Sequence, residues 1–341
     1  MKSPEKKMIN TLYITNMYPR QNHPVDGIFI REQILEIAKV IPIKKEIFLI
    51  DAVHKGKIQY IKSLFTIPQL LRSKSYDIIH IHYGISGLFL LFFKPKTKVF
   101  LTLHGSDIQK RKTNGWQVWL TKKILPKVDK VFVQNKHMKE LVTSYNTNVE
   151  IVTCGIDTDF FRPEQQTINR KKHKLILFPS SPSREVKDFP LFIKIFNRVT
   201  EIAETPIKYA CIEQLNRLEV RNLLSNADCL LLTSKTEGSP QVVKEALSCN
   251  LPVVSVPVGD VKEIINGIPN CYVGDSHQVD EMANLVLQVI KAKRQDIRKL
   301  FLLKEEYNHK AIAQSMARHY LQSLTDNITL PERNNLATSA S

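Results

Sequence analysis

The chain has 341 residues, 43% of them hydrophobic, and a net charge of +16, which favours two domains, each with its own core. Its five cysteines are odd in number and scattered, which excludes a disulfide framework and a zinc finger. The greasiest run, Ile78 to Phe93, is 16 residues broken by His80, His82 and two glycines, short of the roughly 20 that cross a bilayer.

The N-terminus carries charge but lacks an apolar stretch fit for a signal peptide, so the protein is expected in the cytoplasm. Residues 1 to 165 hold 26 Lys and Arg against 14 Asp and Glu, whereas the remainder holds 23 against 19. A basic first half suits an anionic partner, whether membrane surface, nucleic acid or phosphorylated substrate; the plainer reading is solubility.

In chain order, Ile9 to Thr15 reads as a strand and Gly27 to Val40 as a helix. Between them runs N-M-Y-P-R-Q-N-H-P-V-D-G, from Asn16 to Gly27, whose final glycine at a helix start can let backbone approach a phosphate or simply end a turn. Strands follow at Ile47 to Ile50, Asp77 to His82, Val99 to Leu103, Lys130 to Val133 and Glu150 to Thr153. Helical stretches near Ile58 to Arg72, Ser86 to Phe93, Trp116 to Leu125 and Lys136 to Tyr145 separate them. This alternation predicts an α/β fold with a parallel sheet covered on both faces, its ligand beyond the carboxyl ends of the strands. His104, just past a buried strand in L-T-L-H-G-S-D, can reach a sugar hydroxyl there or be a satisfied structural residue.

A polar break from Gln165 to Lys174 reads as the linker, after which the alternation restarts. Leu175 to Phe178, Ile207 to Cys211, Cys229 to Leu232, Pro252 to Val256 and Cys271 to Val273 are strands; Phe189 to Ala203, Leu218 to Ser225 and Val279 to Ile290 are helices. His309 to Leu324 is a last helix, and residues 327 to 341 read as a disordered tail. The domains are therefore expected at 1–165 and 166–305, with 306–326 packing back on the first. Arg184 and Lys187, three apart after the first strand of the second domain, suit a diphosphate: a forked guanidinium plus a point charge.

The densest stretch is S-K-T-E-G-S-P-Q-V-V-K-E-A-L-S-C-N-L-P-V-V from Ser234 to Val254. Pro240 is predicted at the first position of a helix, leaving the amides of Gln241 and Val242 free to meet an anion. Glu237 and Glu245 bracket that end. A carboxylate pair invites a glycosidase reading, with one acid and one nucleophile. The free amides and the cations at Arg184 and Lys187 favour an anionic leaving group. No Walker-type loop, G-x-G-x-x-G, H-E-x-x-H or G-x-S-x-G occurs, which removes several common enzyme classes.

This E-x7-E pattern enclosing G-S-P resembles the donor-site signature of glycosyltransferase family 4, retaining enzymes with two facing Rossmann-like domains, the GT-B fold. G-I-D-T-D-F-F-R-P at Gly155 to Pro163, L-T-L-H-G-S-D and R-E-V-K-D are similar to three further family segments, in the same order. The resemblance implies a metal-independent hexosyltransferase whose co-substrate is a nucleotide-sugar, UDP-sugar in preference to GDP-sugar, with no other cofactor. It implies that Glu237 and His104 act at the transferred sugar. Arg184, Lys187, Gly238, Ser239, Gln241, Val242, Glu245 and Gly27 would bind the donor, and Asn16 and Asp107 would lie on the acceptor side. The chain departs from the pattern at Gly27, where the family often has two adjacent glycines, at Asp188, where glycine is common, and in a short stretch from Thr200 to Asp228 that leaves base preference open.

In the first domain, Q-K-R-K-T-N-G-W-Q-V-W-L-T-K-K at Gln109 to Lys123 interleaves both tryptophans with cations. That composition suits an anionic membrane surface and hence a glycan or lipid-linked acceptor for a surface polysaccharide; the alternative is that Trp116 and Trp119 pack into the core. Two competing functions are a nucleotide-sugar 2-epimerase of the same architecture and a basic nucleic-acid-binding protein. The first lacks a placeable set of acid–base residues and the second any recognisable binding motif, so no nucleic-acid partner is expected.

Overall fold

The computed structural model describes residues 8–110, 114–164 and 173–325. Most of the expected linker, the expected tail, and Arg111 and Lys112 of the basic stretch lie outside the described residues.

Six parallel strands form the first sheet: β1 (Ile9–Thr15), β2 (Ile43–Leu49), β3 (Ile78–His82), β4 (Lys98–Thr102), β5 (Lys130–Val133) and β6 (Val149–Ile151), in the order β2-β1-β3-β4-β5-β6. All five residues of β3 are buried, because parallel sheets are covered on both faces and their strands read as continuous apolar runs. β2 starts four residues before the expected Ile47 and carries exposed Lys44 and Lys45, which an edge strand tolerates.

The second sheet comprises β7 (Lys174–Phe178), β8 (Ile207–Cys211), β9 (Cys229–Leu232), β10 (Val253–Ser255) and β11 (Tyr272–Val273), in the order β11-β10-β9-β7-β8, again parallel. Both sheets place their first strand between the second and third. Connections from the two inner strands then leave toward opposite faces, opening a crevice beyond the carboxyl ends of β1 and β3 and of β7 and β9. The two parallel-sheet domains expected from the sequence are both present.

The chain crosses between domains after β6. Ile156 and Phe161, ahead of the expected boundary at 165, are fully buried in the core of the second domain. The amide of Ile156 donates to the Tyr307 carbonyl at 3.0 Å, and the amide of His309 returns the bond to Ile156 at 3.1 Å. From there the helix His309–Thr325 runs back over the first domain, where Ile312, Met316 and Tyr320 pack with Tyr13, Ile30 and Ile34.

The helical stretch expected near Ser86 to Phe93 is a 3₁₀ helix, Gly84–Leu91. In a 3₁₀ helix residues i and i+3 eclipse, so Gly84 and Gly87 form one bare stripe against the helix Gly115–Ile124. A Cβ on Gly84 would stand 2.2 Å from the Thr121 hydroxyl, and one on Gly87 would stand 3.1 Å from Ile124.

Candidate active site

A cleft of about 410 Å³ lies where the carboxyl ends of the two sheets face each other. Its walls come from the loops after β1, β3, β4, β5 and β6 on one side and after β7, β8 and β9 on the other.

On the second-domain side, a 3₁₀ turn at Glu185–Lys187 follows β7. The turn is tied to the β9 loop: the Thr233 hydroxyl donates to the Lys187 carbonyl at 3.0 Å, and the Lys235 amide donates to the Val186 carbonyl at 2.9 Å. Asp188, where a glycine is common, takes a left-handed conformation (φ 53°, ψ 56°). Aspartate tolerates that region, and here its carboxylate caps the helix Phe189–Ile202 by accepting the Leu191 amide. Lys187 Nζ meets Glu237 Oε1 at 2.5 Å, and both side chains are largely buried. Arg184 is exposed at the cleft rim.

Pro240 is the N-cap of the helix Gln241–Ser248 (φ −68°, ψ 114°), one position earlier than expected. The following amides, of Gln241 and Val242, precede the helical ladder, and both residues line the cleft, so the helix end stays free in a shifted geometry. Glu245 is buried and its Oε1 accepts from Arg217 Nη1 at 2.6 Å. Arg217 also donates to Glu32 Oε2 at 3.1 Å, on the helix Ile28–Val40 of the first domain, and lies 4.5 Å from the centre of the Phe161 ring. Burial opposes the charge on Arg217, but Glu245 and Glu32 outweigh it and raise its pKa. Burial also lifts the Glu32 carboxyl, against the pull of Arg217. Beside this bridge, Pro179, Ile212, Leu215 and Val220 make an apolar slot.

The facing wall is built on the β4 loop. His104 lines the cleft, with Tyr83 4.5 Å away between ring centroids and Phe29 at 5.1 Å. Burial drives its pKa down to about 3, so the ring is neutral. Asp107 does not reach the cleft. Its carboxylate turns inward and accepts the amides of His104 at 3.1 Å, Gly105 at 3.0 Å and Gly84 at 3.4 Å, which shapes the loop that presents His104. Burial raises the Asp107 pKa to about 6 in spite of those bonds.

The two walls touch at Gly238. A Cβ there would meet the His104 carbonyl at 3.1 Å. Asn135 holds the contact from the β5 end: its Oδ1 caps the helix Lys136–Thr143 while its Nδ2 donates to the Gly238 carbonyl at 2.6 Å. Ser239 and Gln241 also line the cleft, and Gln241 Nε2 donates to the Gly155 carbonyl at 3.2 Å.

The structure therefore gathers Glu237, His104, Arg184, Lys187, Gly238, Ser239, Gln241, Val242 and Glu245 on one cleft. It does not bring Asn16, Asp107 or Gly27 there. Asn16 donates to the Tyr60 hydroxyl at 2.8 Å. Gly27 is left-handed (φ 61°), and a Cβ on it would stand 2.5 Å from the Met17 carbonyl, so this glycine lets the loop pack on itself.

Sequence reasoning missed Arg217, whose partners lie 28 and 185 residues away. It also missed Tyr83, although that residue follows a buried strand directly. Tyr83 keeps a strained positive φ of 68° at the cleft wall, as residues at functional sites often do.

One trio among the described residues, His23, Asp26 and His54, brings possible metal-ligand atoms within 4.8 Å. The two imidazoles stack face to face at 3.6 Å, which sets their in-plane lone pairs side by side instead of toward one point. His54 Nε2 and Asp26 share a 2.7 Å hydrogen bond, and the trio reads as a staple between the β1 and β2 loops.

Two family models match the chain, Glycosyltransferase Family 4 over residues 12–160 and Glycosyl transferases group 1 over residues 200–300. The chain is 22% identical over 262 residues to N-acetyl-alpha-D-glucosaminyl L-malate synthase of Bacillus anthracis, covering 66% of this chain and 68% of that one. It is 22% identical over 330 residues to a putative teichuronic acid biosynthesis glycosyltransferase of Bacillus subtilis, covering 74% and 82%. Among solved structures, Anabaena HepE in complex with UDP superposes with a TM-score of 0.66 at 13% identity, covering 93% of this chain and 100% of that one.

Proposed function

The chain is a glycosyltransferase of the family 4 type with a GT-B fold, and from that premise we propose that it transfers a hexose, with retention, from a nucleoside diphosphate donor to a glycan or lipid-linked acceptor. The observation that carries this reading is the convergence, on one cleft, of two cations, a free helix end and two glutamates. Arg184, Lys187 and the amides of Gln241 and Val242 meet the diphosphate. Glu245, held by Arg217, faces the ribose, and the apolar slot beside it takes a flat base. Glu237 attends the sugar.

Such a site needs no metal: a lysine, an arginine and a helix end stabilise the charge that develops on the leaving diphosphate. The C–O bond from the anomeric carbon to the diphosphate breaks as the acceptor oxygen approaches the same face. The departing phosphate oxygen takes the acceptor proton while the acceptor oxygen bonds the anomeric carbon, and attack on the face the phosphate leaves preserves the anomeric configuration. A UDP-sugar is favoured, in keeping with the UDP bound by HepE, and a surface-polysaccharide role agrees with the teichuronic acid relative.

A thermal-shift panel of UDP- and GDP-sugars tests the donor, because a ligand at about 100 times its dissociation constant stabilises by roughly 2.7 kcal/mol. An inverted anomer in the product would overturn the retaining mechanism.

The acceptor is proposed to arrive at a membrane surface on the inner face of the cell. No helix among the described residues is long and apolar enough to cross a membrane. Trp116 and Trp119 are not in the core: they stand exposed on the helix Gly115–Ile124. Beside them, exposed Ile58, Ile61 and Phe65 lie along one face of the helix Ile58–Ser73, and Lys57 Nζ lies 5.4 Å from the Trp116 ring centre. Both helices follow strands of a parallel sheet and so begin at its cleft-facing edge.

A further inference from the structure

We propose that His82, a residue without access to the cleft, fixes the tautomer of His104 so that His104 presents an N–H to the bound sugar and acts as a hydrogen-bond donor, not as a base.

His82 is the last residue of β3 and is fully buried. Its Nδ1 lies 3.2 Å from His104 Nε2. Burial holds both rings neutral, so a single proton lies between the two nitrogens.

Two arrangements are possible. In the first, His104 Nε2 carries the proton and donates to His82 Nδ1. Neutral His82 must then be protonated on Nε2, and among the described residues that buried atom has no hydrogen-bond partner. In the second, His82 Nδ1 carries the proton and donates to His104 Nε2. Only a lone pair is then unpaired at His82 Nε2, and His104 must carry its own proton on Nδ1. Orphaned buried N–H groups are rarer than under-used acceptors, so the second arrangement wins. In it the His104 Nδ1–H points to the side where Cys154 Sγ stands 4.0 Å away, and Cys154 lines the cleft.

The ring of His82 is itself held. It stacks on His80 at 4.5 Å, and His80 is pinned at both nitrogens, by the Tyr320 hydroxyl at 2.5 Å and the Thr102 hydroxyl at 2.7 Å. Tyr320 belongs to the last helix, which thereby supports the β3 histidines from behind. His82 is a positioning residue: it acts through His104 and touches no substrate.

Its effect on turnover rests on the glycosyl-transfer reading, but the tautomer does not, so the two are tested apart. Long-range 1H–15N correlation spectra of the free protein labelled with 15N-histidine read protonation directly, with His104 assigned from a His104→Gln sample. The expected pattern is a protonated Nδ1 and a bare Nε2 on His104; the reverse pattern overturns the proposal whatever the protein catalyses. His82→Asn keeps an N–H donor near the place of Nδ1 and is expected to retain both the tautomer and most of the turnover. His82→Leu removes the donor. It should give mixed tautomers and a kcat lowered by about 10- to 100-fold, the range for losing a group that orients another, with the donor KM nearly unchanged. Equal losses in the Asn and Leu variants, with the His104 tautomer unaltered, would mark His82 as merely structural and overturn the proposal.

Discussion

Lys187 and Glu237, which the donor reading assigns to the diphosphate and to the sugar, are paired with each other across 2.5 Å. A diphosphate that claims Lys187 must therefore pull it from a carboxylate held in a site with little solvent. Lys187→Ala is expected to weaken UDP binding by about 10- to 100-fold, the loss of one charge-assisted contact. Glu237→Gln should do the reverse for UDP, tightening it several-fold because the lysine is released in advance, while lowering kcat by about 100-fold or more. Titration calorimetry on both variants separates the effects. Equal UDP affinity in the wild type and Glu237→Gln would show that the pair does not compete with the nucleotide.

Arg217 joins the domains by holding Glu245 with one nitrogen and Glu32 with another. Arg217→Ala leaves the buried Glu245 carboxylate without its partner, a loss of about 3–5 kcal/mol that should lower Tm by about 10 °C. Glu32→Gln leaves Glu245 paired and removes only the half-exposed interdomain arm, worth up to about 1 kcal/mol. That variant should keep its Tm within a few degrees while opening the cleft in small-angle scattering and weakening donor binding only modestly. An unchanged scattering profile would mean that the arm does not hold the domains together.

The contrast between these two sites shows what the sequence could reveal. Lys187, Glu237 and Glu245 were legible because each lies in the loop or helix that follows a strand, in segments whose turn and helix signals are local. Arg217 was not, because its meaning comes from Glu245 and from Glu32, which sit on other elements and reach it only after folding. His80 and His82 looked like mere interruptions of an apolar run, and the strand that holds them gives no sign that Tyr320, 240 residues away from His80, supplies a partner. The reading of Asp107 failed for a related reason. The family resemblance puts Asp107 on the acceptor side, but the tight loop around Gly105 (φ 108°) turns its carboxylate inward to bind amides.

The buried histidines set the acid limit of stability. His80 and His104 are depressed to about 3, and His82 well below the ordinary 6.5, all by burial. The unfolded chain therefore binds protons below pH 6.5 that the folded chain refuses, and stability falls as pH drops through that value, at about 1.4 kcal/mol per pH unit for each ring. Asp107 and Asp260 run the other way. Burial raises both from 3.8 to about 6, so between those values the folded chain holds protons that the unfolded chain releases, and acidification stabilises. Between about pH 6 and 4 the two carboxyls thus offset about two of the three rings, so the loss should set in near pH 6.5 and continue at roughly the slope of one ring, as read from urea midpoints. Activity should also fall as pH drops through about 6, because a protonated Asp107 gives up part of its hold on the His104 and Gly105 amides. Asp107→Asn should abolish that inflection; its persistence would assign it to another group.

Membrane docking is expected to depend on two helices, not on the tryptophan stretch alone. Phe65 is 72% exposed and Trp119 is 59% exposed, fractions unusual for such large apolar side chains in water. They stand on neighbouring helices with Lys62, Lys122 and Lys123 beside them in sequence, and each cation near anionic lipid adds about 1 kcal/mol. Flotation with vesicles containing anionic lipid should capture the wild type at low salt and release it at high salt. Vesicles of neutral lipid should capture little. Phe65→Ser and Trp119→Ser should each weaken capture by about tenfold through lost apolar burial, without changing turnover on a soluble acceptor. Because the two residues lie on separate helices, their losses should add in the double variant. If the double variant floats like the wild type, this face is not the docking surface and the acceptor reaches the cleft from another direction.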